Sequence, residues 1–278
     1  MNEIESAHIY SEMGRIRDGL IDRDSDLEYT RLLKNKRVAV VGPARTLIGR
    51  KQGSFIDSHD IVVRFNDAFQ HLPVPSGLSD DIGTRADILY SNQVLLRKDI
   101  LQQHGIRHIQ LAKTCGEVGT KYFVCTNNSL SFDKSGSPNP TCDRQDRRLA
   151  SEFKKLLVHQ RIQAGFRMVY AASETLMRWM NGNCGRTGFV AILDLLQFDI
   201  ERLYVTGMTF YHGGGHLLSP DSTELHPLKN RDGTWARDET GLGHDSFVEL
   251  ELMRLIVQCF EKRVEVDDVL SALLQSNP

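Results

Sequence analysis

The four residues Val38 to Val41 are all apolar, three of them are valine, and they stand between the basic stretch Lys34 to Arg37 and a glycine, Gly42. A run this short is a strand rather than a helix. Because it does not alternate with polar residues, it has no face to offer to water, and it predicts a strand covered by helices on both sides with parallel neighbours. Further strands are predicted at Ile61 to Phe65, Asp87 to Tyr90, His108 to Leu111, Tyr122 to Cys125, Arg167 to Tyr170 and Leu203 to Thr206. Helical spacing is clearest at Arg147 to Gln160, Glu174 to Met180, Gly188 to Phe198 and Ser246 to Glu261. Strands alternating with helices predict an α/β fold, a Rossmann-like, doubly wound and mainly parallel sheet.

At 278 residues the chain is long enough for one large α/β domain with a substantial core. The expected organisation is an N-terminal helical appendage over 1–33 and a single domain over 34–278. Two irregular stretches break the domain: Thr126 to Arg144, rich in Asn, Ser, Gly and Pro, and His212 to Gly243, which holds a triple glycine and several histidines. Long loops of this kind inside a compact domain are usually functional or mobile segments. A formal charge of -2 gives no basic field for nucleic acid. No apolar run is long enough to cross a membrane and Met1 to Glu28 carries charges throughout, so neither an integral membrane segment nor a signal peptide is expected. Five scattered cysteines, Cys115, Cys125, Cys142, Cys184 and Cys259, form neither a disulfide framework nor a paired metal site. The expected location is a reducing cytoplasm, with peripheral membrane contact left open.

The segment from Val40 to Asn66 carries the chemistry. A buried strand that ends in a glycine turn places backbone groups at the carboxyl edge of the sheet, where open α/β folds bind nucleotides. The spacing is neither GxGxxG nor GxxxxGK[ST], which counts against a dinucleotide site and a P-loop. Arg64 and Asn66 are two apart on a strand and share a face with Val62, so each needs a buried partner or a ligand. Thr187-Gly188 opens an apolar helix: Thr187 is a candidate N-cap, and glycine lets a ligand approach the backbone. Near the end of the chain, Ser246 with Glu249 three residues on forms a possible capping box, which places His244 just outside a helix N-terminus. The helix dipole there favours neutral imidazole, the state a general base needs. The plainer alternative makes Glu249 a cap and His244 an ordinary loop residue.

With these residues in view, the sequence resembles the eukaryotic-type sialyltransferases, glycosyltransferase family 29. The stretch Val40-Val41-Gly42, Leu47, Gly49, Gly53, Ile56 to Asp60, Val62, Arg64 and Asn66 is similar to their large sialylmotif, with Asp81-Ile82-Gly83-Thr84-Arg85 as its continuation. Gly185 to Phe189 with Leu203 to Gly207 is similar to the small motif, and His244 to Glu249 fits the very short HxxxxE motif. The resemblance implies a GT-A variant with a Rossmann-like nucleotide half. It also implies inverting transfer of an acidic sugar, sialic acid or Kdo, from its CMP conjugate to a glycan or glycolipid hydroxyl, with no metal and no cofactor beyond that donor. On this basis Gly42, Pro43, Ala44, Asn66, Thr187, Gly188 and Tyr211 are candidates for the CMP-sugar site. His244 is the candidate base, Glu249 and Arg64 are supporting residues, and His212 and His216 are catalytic candidates beside the leaving phosphate, whose second pKa of about 6 lies close to that of imidazole.

The departures from the family matter as well. Pro43-Ala44 stand where the family has an Asn that contacts phosphate or ribose, so any contact there must come from the backbone. The family's inter-motif disulfide would join the positions of Val38 and Phe198, and both thiols are absent. The His/Tyr motif is poorly formed, with Tyr211-His212 and His216 as its candidates. Three other readings are weaker. A zinc site from His212, His216, His244 and Glu249 would need ligands spaced across a triple glycine. An oxidoreductase would need the missing GxGxxG. A non-catalytic nucleotide-binding or scaffold protein of the same fold is favoured by Pro43 and opposed by His244 with Glu249.

Overall fold

The computed structural model describes residues 3–17, 26–65, 72–91, 116–126, 151–169 except 152, 156 and 160, 171–180, 185–210, 212 and 246–276. Its helices are α1 (Glu3–Arg17), α2 (Leu27–Leu33), α3 (Gly53–Asp57), α4 (Ser76–Ile82), α5 (Ala171–Trp179), α6 (Thr187–Leu196), α7 (Ser246–Cys259) and α8 (Asp268–Gln275). Its strands are β1 (Arg37–Val41), β2 (Ile61–Phe65), β3 (Ile88–Ser91), β4 (Tyr122–Thr126), β5 (Gly165–Val169), β6 (Arg202–Thr206) and β7 (Val264–Val266). Every pairing is parallel, in the order β5-β4-β3-β2-β1-β6-β7. The α/β fold with a parallel, doubly wound sheet is therefore as the apolar runs predict. The chain winds outward from β1 to β5 and then returns to the other side of β1 with β6, so the order reverses between β1 and β6. In open α/β sheets the crevice at such a reversal, outside the carboxyl ends of the strands, is where ligands bind.

Alternation along β1 explains why its whole run must be apolar. Val38 and Val40 enter a large cluster with residues of α1, α2, α6 and α7, while Ala39 and Val41 enter a second with Leu47, Ile56, Ile82 and Tyr204. A parallel strand buried on both faces offers a side chain no position in water, so a polar one there must find a partner. The register is fixed on both sides, with Val38 opposite Ile61 of β2 and Leu203 of β6. Helix α6 is enclosed, all eight residues from Phe189 to Leu196 being buried. Ile9, Met13 and Ile16 of α1 and Tyr29 and Leu33 of α2 belong to the same large cluster. Val38 and Phe198 are also buried in it, as apolar residues in the places the resemblance gives to a disulfide. Cys125 and Cys259 are buried, whereas Cys115, Cys142 and Cys184 lie outside the described residues.

Six of the seven predicted strands are observed, Ile61 to Phe65 with its bounds unchanged and the others shifted by no more than two residues; the run at His108 to Leu111 lies outside the described residues. Strand β7 and helices α3, α4 and α8 were not anticipated. β7 has three residues with Glu265 at its centre, too short a run for apolar periodicity to register. Helices α3 and α4 have five and seven residues, and α4 carries Asp80 and Asp81.

One polar group lies deep in this apolar interior. Asp194 of α6 and Arg167 of β5 form a bidentate ion pair, with Nη1 to Oδ2 at 2.6 Å and Nη2 to Oδ1 at 3.1 Å. The Tyr90 hydroxyl of β3 donates to Asp194 Oδ2 at 2.6 Å and lies 2.6 Å from the Tyr29 hydroxyl of α2. The guanidinium also lies over the Tyr29 and Phe198 rings, 4.5 and 5.2 Å from their centroids. Burial, and then the charge of Asp194, push both tyrosine hydroxyls above their ordinary value. Burial is the largest influence on Arg167 and opposes its charge, but the Asp194 carboxylate, the two tyrosines and the hydrogen bond to Asp194 together outweigh it, and the guanidinium pKa is raised.

Removing one member of a buried pair strands the other charge, at a cost of about 3–5 kcal/mol, whereas apolar replacement of both is often tolerated. Asp194→Ala is therefore expected to lower the urea unfolding free energy by about that amount. Arg167→Met combined with Asp194→Leu is expected to recover at least half of the loss. A double variant no more stable than Asp194→Ala would show that the surrounding packing, rather than the unpaired charge, sets the cost.

Candidate functional site

The polar residues of the first motif mostly hold the backbone in place. Arg64 points into the protein, where its Nε donates to the Arg85 carbonyl at 2.7 Å and its Nη2 to those of Ile82 at 2.6 Å and Gly83 at 3.2 Å. Burial pushes its pKa down to about 10, partly opposed by Asp57. Asp57 accepts from the Thr84 N–H and hydroxyl and the Arg85 N–H at 2.8, 2.9 and 3.2 Å. Asp81 accepts from the Gly49 and Lys51 N–H groups at 2.8 and 2.9 Å, and these bonds hold its carboxyl below the usual carboxylate range. Arg85 reaches the carbonyls of Asp57, His59 and Asp60 and the carboxylate of Asp87. Together these bonds tie α3, α4 and the start of β3 to the loop that follows β1. The predicted buried partner of Arg64 is therefore a set of carbonyls.

The ends of β1 and β6 meet at the reversal point. A methyl group on Gly42 would lie 2.2 Å from the Gly207 carbonyl oxygen, so no other residue fits there without moving the backbone. Gly207 has φ +65° and would itself meet Leu47. This close approach uses up the backbone donors. The Gly42 N–H goes to the Thr206 carbonyl at 2.8 Å, the Ala44 N–H goes to the Gly207 carbonyl at 3.0 Å, and Pro43 has none. Gly42, Pro43 and Ala44 thus have no N–H left to hold an anion. The Ala44 carbonyl accepts from the Leu47 N–H at 3.3 Å, which closes the turn further.

Helix α6 begins beside that turn. A methyl on Gly188 would lie 2.9 Å from the end of the Met208 side chain and 3.7 Å from the Phe65 ring, and Met208 also lies against Gly42. Met208 therefore separates the first-motif turn from the second-motif helix start. The helix starts at Thr187 with Arg186 as its N-cap, so Thr187 is not the cap predicted. Glu249 differs from expectation too. It is fully buried, but its carboxylate does not close a capping box on its own helix. Oε1 accepts from the Arg186 N–H at 2.7 Å, and Oε2 pairs with the Arg186 guanidinium. The short-motif glutamate thus ties the start of α7 to the start of α6. Ser246 is the first residue of α7, and its buried hydroxyl finds no partner among the described residues. His212 is half-buried against this helix start, with Nε2 3.2 Å from the Ser246 carbonyl and its ring edge-on to Phe247 at 4.8 Å. A carbonyl only accepts, so Nε2 carries the proton and Nδ1 is the basic atom of the neutral ring.

Gly42, Gly188, Glu249 and His212 are thus linked along the carboxyl edge of the sheet through Met208, Arg186 and Ser246. Asn66, Tyr211, His216 and His244 lie outside the described residues. Met208 and Arg186 were not singled out from the sequence, since a methionine after a glycine and an arginine before a helix carry no chemical signature of their own. Among the described residues, no three His, Cys, Asp or Glu side chains gather to hold a metal ion, and no helix is long and apolar enough to cross a membrane.

Residues 9–123 match the family model of glycosyltransferase family 29 (sialyltransferase). The matched segment contains the first motif and its continuation, so the resemblance read from the motifs is borne out there, in a family of sugar transferases. No curated protein matches the chain. Among solved structures, a mammalian sialyltransferase in complex with Gal-beta-1-3GalNAc-ortho-nitrophenol is 15% identical, over 96% of this chain and 86% of that one, with a TM-score of 0.45. The Campylobacter jejuni sialyltransferase CstII in complex with cytidine-5'-monophosphate is 12% identical over 88% of each chain, at 0.47. The monofunctional alpha-2,3-sialyltransferase Cst-I of the same organism is 15% identical over 92% and 87%, at 0.49. Likenesses this distant leave function to be argued from the chain's own residues.

The position of Glu249 separates two accounts of its role. Glutamine serves a capping box as well as glutamate, so a cap would make Glu249→Gln neutral. Glutamine against the Arg186 guanidinium loses a charge-assisted hydrogen bond, and the variant is expected to be about 1.5–3 kcal/mol less stable in equilibrium unfolding. An unchanged unfolding curve would restore the capping account.

Proposed function

We propose that the chain is an inverting, metal-independent glycosyltransferase that moves an acidic sugar, sialic acid or Kdo, from its CMP conjugate to a glycan or glycolipid hydroxyl. The observation that carries this reading is the meeting of Gly42 and Gly188 across Met208. It brings the first-motif turn and the second-motif helix start together at the reversal point of the sheet. With the N–H groups of Gly42 and Ala44 engaged, the turn after β1 meets the ribose hydroxyls or the cytosine amine through carbonyls in this reading. In this reading the donor phosphate lies at the start of α6, where the helix dipole favours an anion. Asn66 and Tyr211 complete the nucleotide site in this reading.

In the reaction, His244 takes the proton of the acceptor hydroxyl, which attacks the anomeric carbon as CMP leaves from the opposite side. His244 precedes α7 by two residues, and the positive end of that helix favours its neutral, basic form. His212 and His216 supply a proton or positive charge to the departing phosphate, the task a metal performs elsewhere. Glu249 acts indirectly, by holding the start of α7 on Arg186. The packing of Val38 and Phe198 in the apolar core supports a chain that folds in a reducing compartment such as the cytoplasm. A second reading, a non-catalytic nucleotide-binding protein of the same fold, draws support from the lack of N–H donors at Gly42 to Ala44.

Incubating the protein with CMP-sialic acid and with CMP-Kdo, each with and without a glycan panel, tests both readings. Acceptor-dependent CMP release that survives EDTA and a thiol reductant is expected with one donor. His244→Ala is expected to slow turnover by about 10²- to 10⁴-fold with little change in CMP affinity. CMP binding without turnover on any acceptor would favour the non-catalytic reading. Wild-type rates in His244→Ala would move the base to His212 or His216.

A further inference from the structure

Asp267 lies outside all three motifs, just before the last helix, and its buried carboxylate has more than one task. Oδ1 accepts from the Leu270 N–H at 2.7 Å, making Asp267 the N-cap of α8. Oδ2 faces the other way, across the end of β6, and accepts from the Thr206 hydroxyl at 2.7 Å and the Gly207 N–H at 2.8 Å. Gly207 then passes the constraint on. Its carbonyl accepts from the Ala44 N–H at 3.0 Å, and the same oxygen is the atom that a side chain at Gly42 would strike. A single side chain near the last helix thus anchors the N–H of Gly207, just after β6, and the carbonyl of the same residue holds the turn after β1.

A helix cap needs only one acceptor, and serine supplies it as well as aspartate. The second oxygen is therefore not explained by α8. It satisfies two buried donors at the carboxyl edge of the sheet and anchors Gly207, whose carbonyl in turn holds the Ala44 N–H of the turn after β1. We infer that Asp267 is a positioning residue for the nucleotide site, holding the β6 end so that the turn after β1 meets the donor nucleotide. This inference rests on the CMP-sugar reading for its ligand but not for its geometry.

Two variants separate positioning from stability. Asp267→Ser keeps an oxygen for the Leu270 N–H and gives up the reach to Gly207. Leu270→Ala keeps every Asp267 bond and weakens the packing of the same helix, since Leu270 is fully buried. Both are measured well below their unfolding temperatures, by calorimetry with CMP, by donor KM and kcat, and by amide hydrogen exchange over residues 42–47 and 204–210. Asp267→Ser is expected to bind CMP about tenfold more weakly, the cost of one displaced hydrogen-bonding group. Its donor KM should rise in parallel, kcat should change less, and exchange at both segments should be faster. Leu270→Ala should keep wild-type affinity and exchange at those segments. Should Asp267→Ser not fold, Asp267→Asn takes its place: one amide oxygen cannot serve both sides, so affinity or the helix cap must weaken. Equal losses in the aspartate and leucine variants, or CMP affinity within twofold of wild type in the aspartate variant, would overturn the inference. If the wild type does not bind CMP, the CMP reading fails, and the exchange data alone decide whether Asp267 holds the edge.

Discussion

The ion pair between Arg167 and Asp194 is the interaction on which the packing of the main core depends. It joins an edge strand to the enclosed helix α6 and draws Tyr90 of β3 and Tyr29 of α2 into one network. Two opposite charges in an apolar interior are tolerable only when they satisfy each other and nearby donors. Here the carboxylate receives both guanidinium nitrogens and a tyrosine hydroxyl. The guanidinium also lies against the Phe198 ring, at one of the two positions where the family resemblance places a disulfide. A covalent link would hold the start of the sheet to the end of α6 whatever the packing around it. This chain instead holds α6 to the sheet with a non-covalent pair whose geometry depends on correct packing, and such a pair specifies one arrangement of α6 against β3 and β5.

That arrangement decides where α6 begins, and hence where the second motif lies. The first motif is placed by a separate polar frame on the other side of the sheet, built from Arg64, Arg85, Asp57 and Asp81. Each of these groups satisfies backbone atoms of a loop or a short helix end, so the frame does not depend on the ion pair. α6 and the β1 turn therefore reach the crevice from independently fixed supports, and Met208, a flexible side chain, fills the space between them. A methionine adapts to small errors between two rigid parts better than a branched residue does.

The parallel sheet was legible in the sequence because its strands are short runs without polar interruption, and the carboxyl edge was legible from Gly42 and Thr187-Gly188. What could not be read was how polar side chains are shared between elements. Glu249 follows Ser246 at capping-box spacing, yet it bonds a residue 63 positions earlier in the chain. The spacing rule describes local competition for helix N–H groups and is silent about a guanidinium arriving from another helix. Arg64 was read correctly as needing a buried partner, but its carbonyl acceptors have no residue-type signature. Asp267 is invisible for the same reason, since the donors it satisfies at Thr206 and Gly207 are some sixty residues away in sequence.

The helix starts at Arg186 and Ser246 raise a last physical point. Each is a positive dipole end, and bringing two together is unfavourable unless negative charge lies between them. Glu249, fully buried in the first turn of α7, supplies that charge, and the Arg186 guanidinium balances it. Because Arg186 offsets part of the Glu249 charge, the carboxylate repels an anion at these helix starts less than an unpaired one would. Arg186 thus lets one carboxylate hold two helix starts together while softening that carboxylate's field.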